Sequence, residues 1–206
     1  MSGLAYWGIV LAATVVLAQQ PDSIGQVVAL TGQAAVQHRA GTSIEPLTMQ
    51  SRLYQDDLIY TQAASKVRLA LVDGTTLVLG EQSTLHLTKF VYAPGQSQKS
   101  LLTVVQGAFK LVISKVLPRS TFEVHTTNAV AAVRGTEWLG QVTRDATAIL
   151  VLEGEVAVSH ARPEVRGTVL LTAGTGTDVV GQQPPTPTKP WGEARIRALV
   201  AATTLP

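Results

Sequence analysis

The sequence predicts an all-β fold: a roll-like or solenoid-like twisted β domain with a short C-terminal helix. Three observations predict it. From Ile24 to about Val180 the chain is rich in Val and Thr, which suit a pleated, half-buried surface. Apolar residues there recur with period two, as in strands with one inward face. No stretch of helical length inside it keeps a clean 3.6-residue period.

The elements follow in order. Leu4 to Ala18 (LAYWGIVLAATVVLA) carries no charge and ends in the small-x-small pattern Val16-Leu17-Ala18. A spanning helix needs about 20 apolar residues. The run is shorter, so residues 1–18 are expected to be a signal peptide cleaved after Ala18. The n-region has no Lys or Arg, which leaves open an uncleaved inner-membrane anchor with Tyr6 and Trp7 at the interface. The β domain is expected over residues 24–181. In it Val67, Leu69 and Leu71 alternate with Lys66, Arg68 and Ala70; Leu77, Leu79, Leu85 and Leu87 follow. Phe109, Leu111 and Ile113 alternate in the same way, as do Phe122 and Val124. Asp73-Gly74 predicts a two-residue hairpin, and Gly80, Pro94-Gly95, Gly174 and Gly176 mark further turns.

An irregular repeat runs through the domain. Gly32, Gly107 and Gly154 each sit mid-strand, flanked at alternate positions by apolar or small residues. Glycine inside a strand marks a bulge, a bend or a close backbone approach. Three such strands predict one kind of corner used three times. The copies are 75 and 47 residues apart, which excludes a solenoid of fixed period. A proline-rich linker (182–190) and a short amphipathic helix (191–204) complete the chain. The helix would carry Ile196, Leu199 and Val200 on one side and a Glu193–Arg197 pair. Docking of this helix on the β domain is the favoured reading, with a partner as the alternative.

Several segments together resemble the FecR domain family. They are LTGQAAV (Leu30 to Val36), LYQDDLIYT (Leu53 to Thr61) and LALVDGTTLVLGEQSTLHL (Leu69 to Leu87). VVQGAFKLVI (Val104 to Ile113), FEVHTTNAVAAVRGTEWLG (Phe122 to Gly140), VLEGEVAVS (Val151 to Ser159) and VLLTAGTGTDV (Val169 to Val179) follow in the family's order. The most specific is the Phe122 to Gly140 segment, which contains V-R-G-T at Val133 to Thr136. Gln55, Asn128 and Trp138 stand where glycine, proline and phenylalanine are usual. The signature positions are Asp57, Thr61, Asp73, Gly74, Gly107, Arg134, Gly135, Thr136 and Gly154, with a structural role expected for them. For Arg134 that role is an ion pair with an acid such as Glu153 or Asp73; the functional alternative is a contact to an anionic ligand or partner. The resemblance implies an exported, periplasmic β domain. In signalling members such a domain relays a signal from an outer-membrane transporter. Here the apolar segment begins at Leu4 and only Gln182 to Pro206 follow the domain. A stand-alone domain without an anti-sigma segment is therefore expected. Its partners would be envelope proteins, an outer-membrane transporter among them.

Composition narrows the chemistry. The 206 residues fit one domain, and charged residues make up 15%. With 16 basic and 14 acidic residues and no basic run, no nucleic-acid footprint exists. No cysteine is present, which excludes disulfides and thiolate chemistry. No nucleophile elbow, metalloprotease motif or phosphate loop occurs, so no enzyme and no cofactor are expected. His38, His86, His125 and His160 lie on separate predicted strands and read as solvent-facing, with no metal site. Glu153 and Glu155 share one predicted strand face and read as solvated. A non-catalytic protein-binding or scaffold module of the cell envelope is the expectation. The alternatives are a cell-wall glycan-binding module and a membrane-anchored signalling input. Aromatics are only 5%, and Trp138, the one candidate sugar platform in the domain, is expected in the core.

Overall fold

Alternation decides which side of each strand turns inward. In Lys66–Leu71, Val67, Leu69 and Leu71 are buried while Lys66, Arg68 and Ala70 stay half-exposed. The same pattern recurs along the chain and folds it into two facing sheets. The computed structural model describes residues 22–39, 41–91, 99–113, 121–133 and 135–205. The expected signal peptide, the Pro94-Gly95 turn and Arg134 lie outside these residues.

The strands are β1 (Gly25–Thr31), β2 (Ala34–Gln37), β3 (Ile44–Pro46), β4 (Arg52–Leu53), β5 (Leu58–Thr61) and β6 (Lys66–Leu71). Next come β7 (Thr76–Leu79), β8 (Thr84–Val91), β9 (Lys99–Val112), β10 (Thr121–His125), β11 (Ala129–Val133) and β12 (Glu137–Val142). The last are β13 (Ala146–Glu153), β14 (Glu155–His160), β15 (Thr168–Thr172), β16 (Thr175–Val180) and β17 (Lys189–Pro190), before α1 (Glu193–Thr203). One sheet has the order β4-β1-β6-β7-β9-β12-β13-β16-β17. The other runs β3-β2-β5-β8-β9-β10-β11-β14-β15. All pairs are antiparallel except β9 with β10.

Strand β9 belongs to both sheets. Its first half pairs with β8 and β10; from Gly107 onward it pairs with β7 and β12. Gly107 has φ +100°, and a Cβ there would lie 2.0 Å from Ser83 Oγ. Only glycine lets the strand bend against its neighbour at that distance. The chain turns the same corner between β1 and β2 at Gly32 and between β13 and β14 at Gly154. The core lies between the sheets. Phe109 and Trp138 meet edge to face there, with ring centroids 5.0 Å apart and both fully buried.

The outer face of the first sheet is closed by the C-terminal segment. Leu199 and Trp191 pack on Ala108, Leu139 and Leu150. Trp191 lies over Gly176, where any Cβ would strike its indole. Lys66 Nζ donates to the carbonyls of Ala201 and Thr204, which end the helix facing a cation. This is the covered sheet; the other is the open sheet. The proline-rich stretch is pinned rather than free: Thr177 Oγ1 donates to Thr186 O at 2.7 Å and Thr188 Oγ1 to Leu170 O at 3.2 Å.

Several expectations change. The β6–β7 connection is a three-residue loop, Val72 to Gly74, because Leu71 N–H bonds Thr75 O and Val72 turns to solvent. Helix α1 spans 193–203, and Val200 faces outward because Leu199 and Ile196 take the packed side. Gly154 separates Glu153 and Glu155 into strands of different sheets, so they do not share a strand face.

Candidate functional site

The signature residues hold the corners and turns. Thr61, buried at the end of β5, donates to Gly80 O at 2.6 Å and accepts from Ser83 N–H at 2.8 Å. One hydroxyl thereby ties two corners of adjacent strands. Gly107 bends β9 over Ser83. Gly135 (φ +60°) carries the chain from β11 into β12, and buried Thr136 accepts Ile113 N–H through its carbonyl. Gly154 leaves room for Gly135 O and Thr136, which a Cβ would meet at 2.7 and 2.8 Å. Asp73 and Gly74 shape the β6–β7 loop: Asp73 Oδ1 accepts Thr75 N–H, and Gly74 takes φ +85°. Burial raises the Asp73 carboxyl above its ordinary pKa, against the opposing hydrogen bonds from Thr75.

A polar cluster forms at the far end of β5. Asp57 is fully buried; its carboxylate accepts Tyr54 N–H and meets His38 Nδ1, both at 2.7 Å. Asp56 beside it pairs with Arg39 at 2.7 Å and lies 3.6 Å from His86 Nε2. The His38 ring stands edge-on to Tyr54. These contacts fix the Tyr54–Asp57 turn where the chain enters β5. His160 departs from the solvent-facing reading. It is buried, its Nδ1 accepting Arg162 N–H and its Nε2 meeting Gly181 O, so it closes two loops. No group of three or more His, Asp and Glu placed to hold a metal occurs among the described residues.

The structure assembles one accessible feature that alternation alone does not reveal: the outer face of the open sheet. Register sets Glu123, Ala132, Ala157 and Leu170 in one row across β10, β11, β14 and β15. His125, Val130, Ser159 and Thr168 form the next. His125 Nε2 and Glu123 Oε2 are 2.9 Å apart. Ala132 is exposed and Leu170 is 56% exposed. Small side chains in the middle thus leave a shallow apolar saddle between the Glu123–His125 pair and a leucine. Among the described residues, Ile44, Val91, Val105 and Leu170 are the large exposed hydrophobics of this sheet. Its edges are blunted. β3 is three residues long and ends in Pro46, which lacks an N–H. On β15 the Leu170 carbonyl is already taken by Thr188.

This architecture has counterparts among known proteins. Two crystal structures, each of a "putative anti-sigma factor" from Parabacteroides distasonis, superpose with a TM-score of 0.56 at 16% sequence identity. Each match covers 69% of this chain and 63% or 64% of the other, less than two thirds of that chain's length. At that identity the likeness concerns the fold. The comparison with curated proteins gives no match. A family model described as FecR protein matches residues 57–157, from the buried aspartate before β5 to the middle of β14. The matched span holds the Thr61, Gly107 and Gly154 corners just described, and over it this chain carries a FecR domain.

Proposed function

We propose that this chain is a non-catalytic protein-binding module of the bacterial envelope, acting in FecR-type signalling from an exported position. One observation carries the reading: the domain closes one sheet with its own helix and leaves the other uncovered. The Ala132–Ala157 saddle, with Leu170 on one side and the Glu123–His125 pair on the other, is the docking patch. Exposed apolar surface rimmed by polar groups is the usual character of a protein contact. Docking uses this face rather than β-augmentation, because Pro46 and Thr188 blunt the edges. The FecR domain match supports the signalling context. The N-terminal apolar run supports export, as a cleaved signal or as a membrane anchor.

Cross-linking in intact cells, followed by capture of the tagged chain, tests the reading. The expected result is one specific envelope protein, with an outer-membrane transporter foremost. Ala132→Arg with Leu170→Glu should cut its capture at least about tenfold while stability changes by under about 0.5 kcal/mol. Equal capture by the double variant removes the saddle as the docking site. Intact mass of the bait decides the N-terminus: a start at Gln19 means export with cleavage, and retention of Met1 to Ala18 means an anchor.

A further inference from the structure

Four glutamines occupy successive corners at the other end of the open sheet. Gln33 follows the β1–β2 bend, Gln62 follows β5, Gln82 lies between β7 and β8, and Gln106 precedes Gly107 in β9. Hydrogen bonds join them in sequence. Gln62 N–H donates to Gln33 O at 3.0 Å, Gln82 N–H to Gln62 O at 3.1 Å, and Gln106 Nε2 to Gln82 O at 3.0 Å. All four are exposed. Among the described residues the side-chain amides of Gln33, Gln62 and Gln82 have no hydrogen-bond partner. Three free amides therefore stand along the corner, with the Gln106 amide, bonded to Gln82 O, at the end of the row.

Two adjoining grooves of about 410 and 390 Å³ run beside this row and share Ala35 and Gln62. Their floor is the cross-strand line Pro46, Ala35, Tyr60, Thr84 and Gln106, with Ile44 at the rim. Among the described residues no charged one lines either groove. Glu81, next in sequence to Gln82, is tied to Ala64 N–H at 2.7 Å.

We propose that this glutamine row is a binding site for an uncharged polysaccharide strand. Three features select that ligand. A glutamine amide both donates and accepts, as sugar hydroxyls do, so each can satisfy the other without ionic partners. Adjacent strands lie about 4.8 Å apart, close to the length of one pyranose unit, so successive amides meet successive sugars. Tyr60, Ala35 and Ile44 offer apolar surface to the C–H faces of the rings. Anionic polymers and nucleic acids would find no cation here. A peptide strand would need main-chain groups that a corner does not present. Each sugar is held weakly, and repetition along the polymer supplies retention.

The site lies on β2, β5, β8 and β9, away from the saddle on β10, β11, β14 and β15, so the two readings fail separately. Affinity electrophoresis of the full chain in gels containing dextran, hydroxyethyl cellulose or glycol chitin is the test, with alginate as the anionic control. Retardation by at least one neutral polymer and none by alginate is expected. Gln62→Ala with Gln106→Ala should weaken that retardation about tenfold with unchanged thermal melting, while Ala132→Arg with Leu170→Glu should leave it intact. Preference for glycol chitin over dextran and hydroxyethyl cellulose assigns an N-acetylated glycan, and the reverse a simple glucan. No retardation, retardation by alginate, or retardation indifferent to the glutamine variant overturns the proposal.

Discussion

Asp73 sits in the β6–β7 loop of the covered sheet, where burial disfavours its charge more than the Thr75 hydrogen bonds favour it. Its folded-state pKa is therefore above the unfolded one, and the folded state binds the proton more tightly. The stabilisation this gives is complete below the unfolded-state pKa and disappears as pH rises through the raised folded value. Asp73→Asn keeps an oxygen for Thr75 N–H and removes the titration. Urea midpoints measured from pH 3 to 7 should show this loss in the parent and a flatter profile over that window in the variant. Asp73 also illustrates what is legible in a sequence. A turn at Asp73-Gly74 follows from residue type alone. The three-residue loop does not, because it depends on Leu71 N–H finding Thr75 O and on Val72 turning outward. His160 is a similar case: alternation permits either face, and loops closing from Arg162 and Gly181 decide for burial.

Among the elements, α1 depends most on its surroundings. Eleven residues are marginal as an isolated helix in water. What holds it is Leu199 and Trp191 on the covered sheet, Lys66 at its C-terminal carbonyls, and Arg195 stacked on Trp191 while paired with Asp178. Trp191→Ala should undock the helix without dissolving the sheets. Tryptic cleavage after Arg195 and Arg197 should rise at least about tenfold while the far-UV β signal persists, since proteolysis reports local opening. The helix itself was readable from the Glu193–Arg197 spacing and its apolar residues. Its berth was not, because Ala108 and Leu139 lie far away in the chain. The saddle and the glutamine row were hidden for the same reason. Their residues are unremarkable one by one, and only register brings Ala132 beside Ala157 or Tyr60 beside Thr84.

At the scale of the molecule, the shared strand makes the two sheets one folding unit. Neither can open without breaking pairs that β9 makes, so unfolding should be a single transition. Near-UV and far-UV circular dichroism in urea should trace coincident curves. Gly107→Ala attacks the junction directly, adding a side chain at φ +100° against Ser83. It should lower stability by roughly 2–4 kcal/mol with the curves still superimposed; separate transitions would show that the sheets unfold independently. Repeated glycine corners made the bending legible in advance. That β9 alone would span both sheets was not, because Gly32 and Gly154 carry the same local pattern yet each ends one strand and starts another.

The continuous backbone of β9 has a mechanical consequence. A load placed on the open sheet passes along that strand through the Gly107 corner into the sheet beneath the helix, with no hinge loop to absorb it. The domain is therefore built as a stiff lever: a partner seated on one face would displace the whole body, and whatever the far side touched would feel a movement rather than a change of shape.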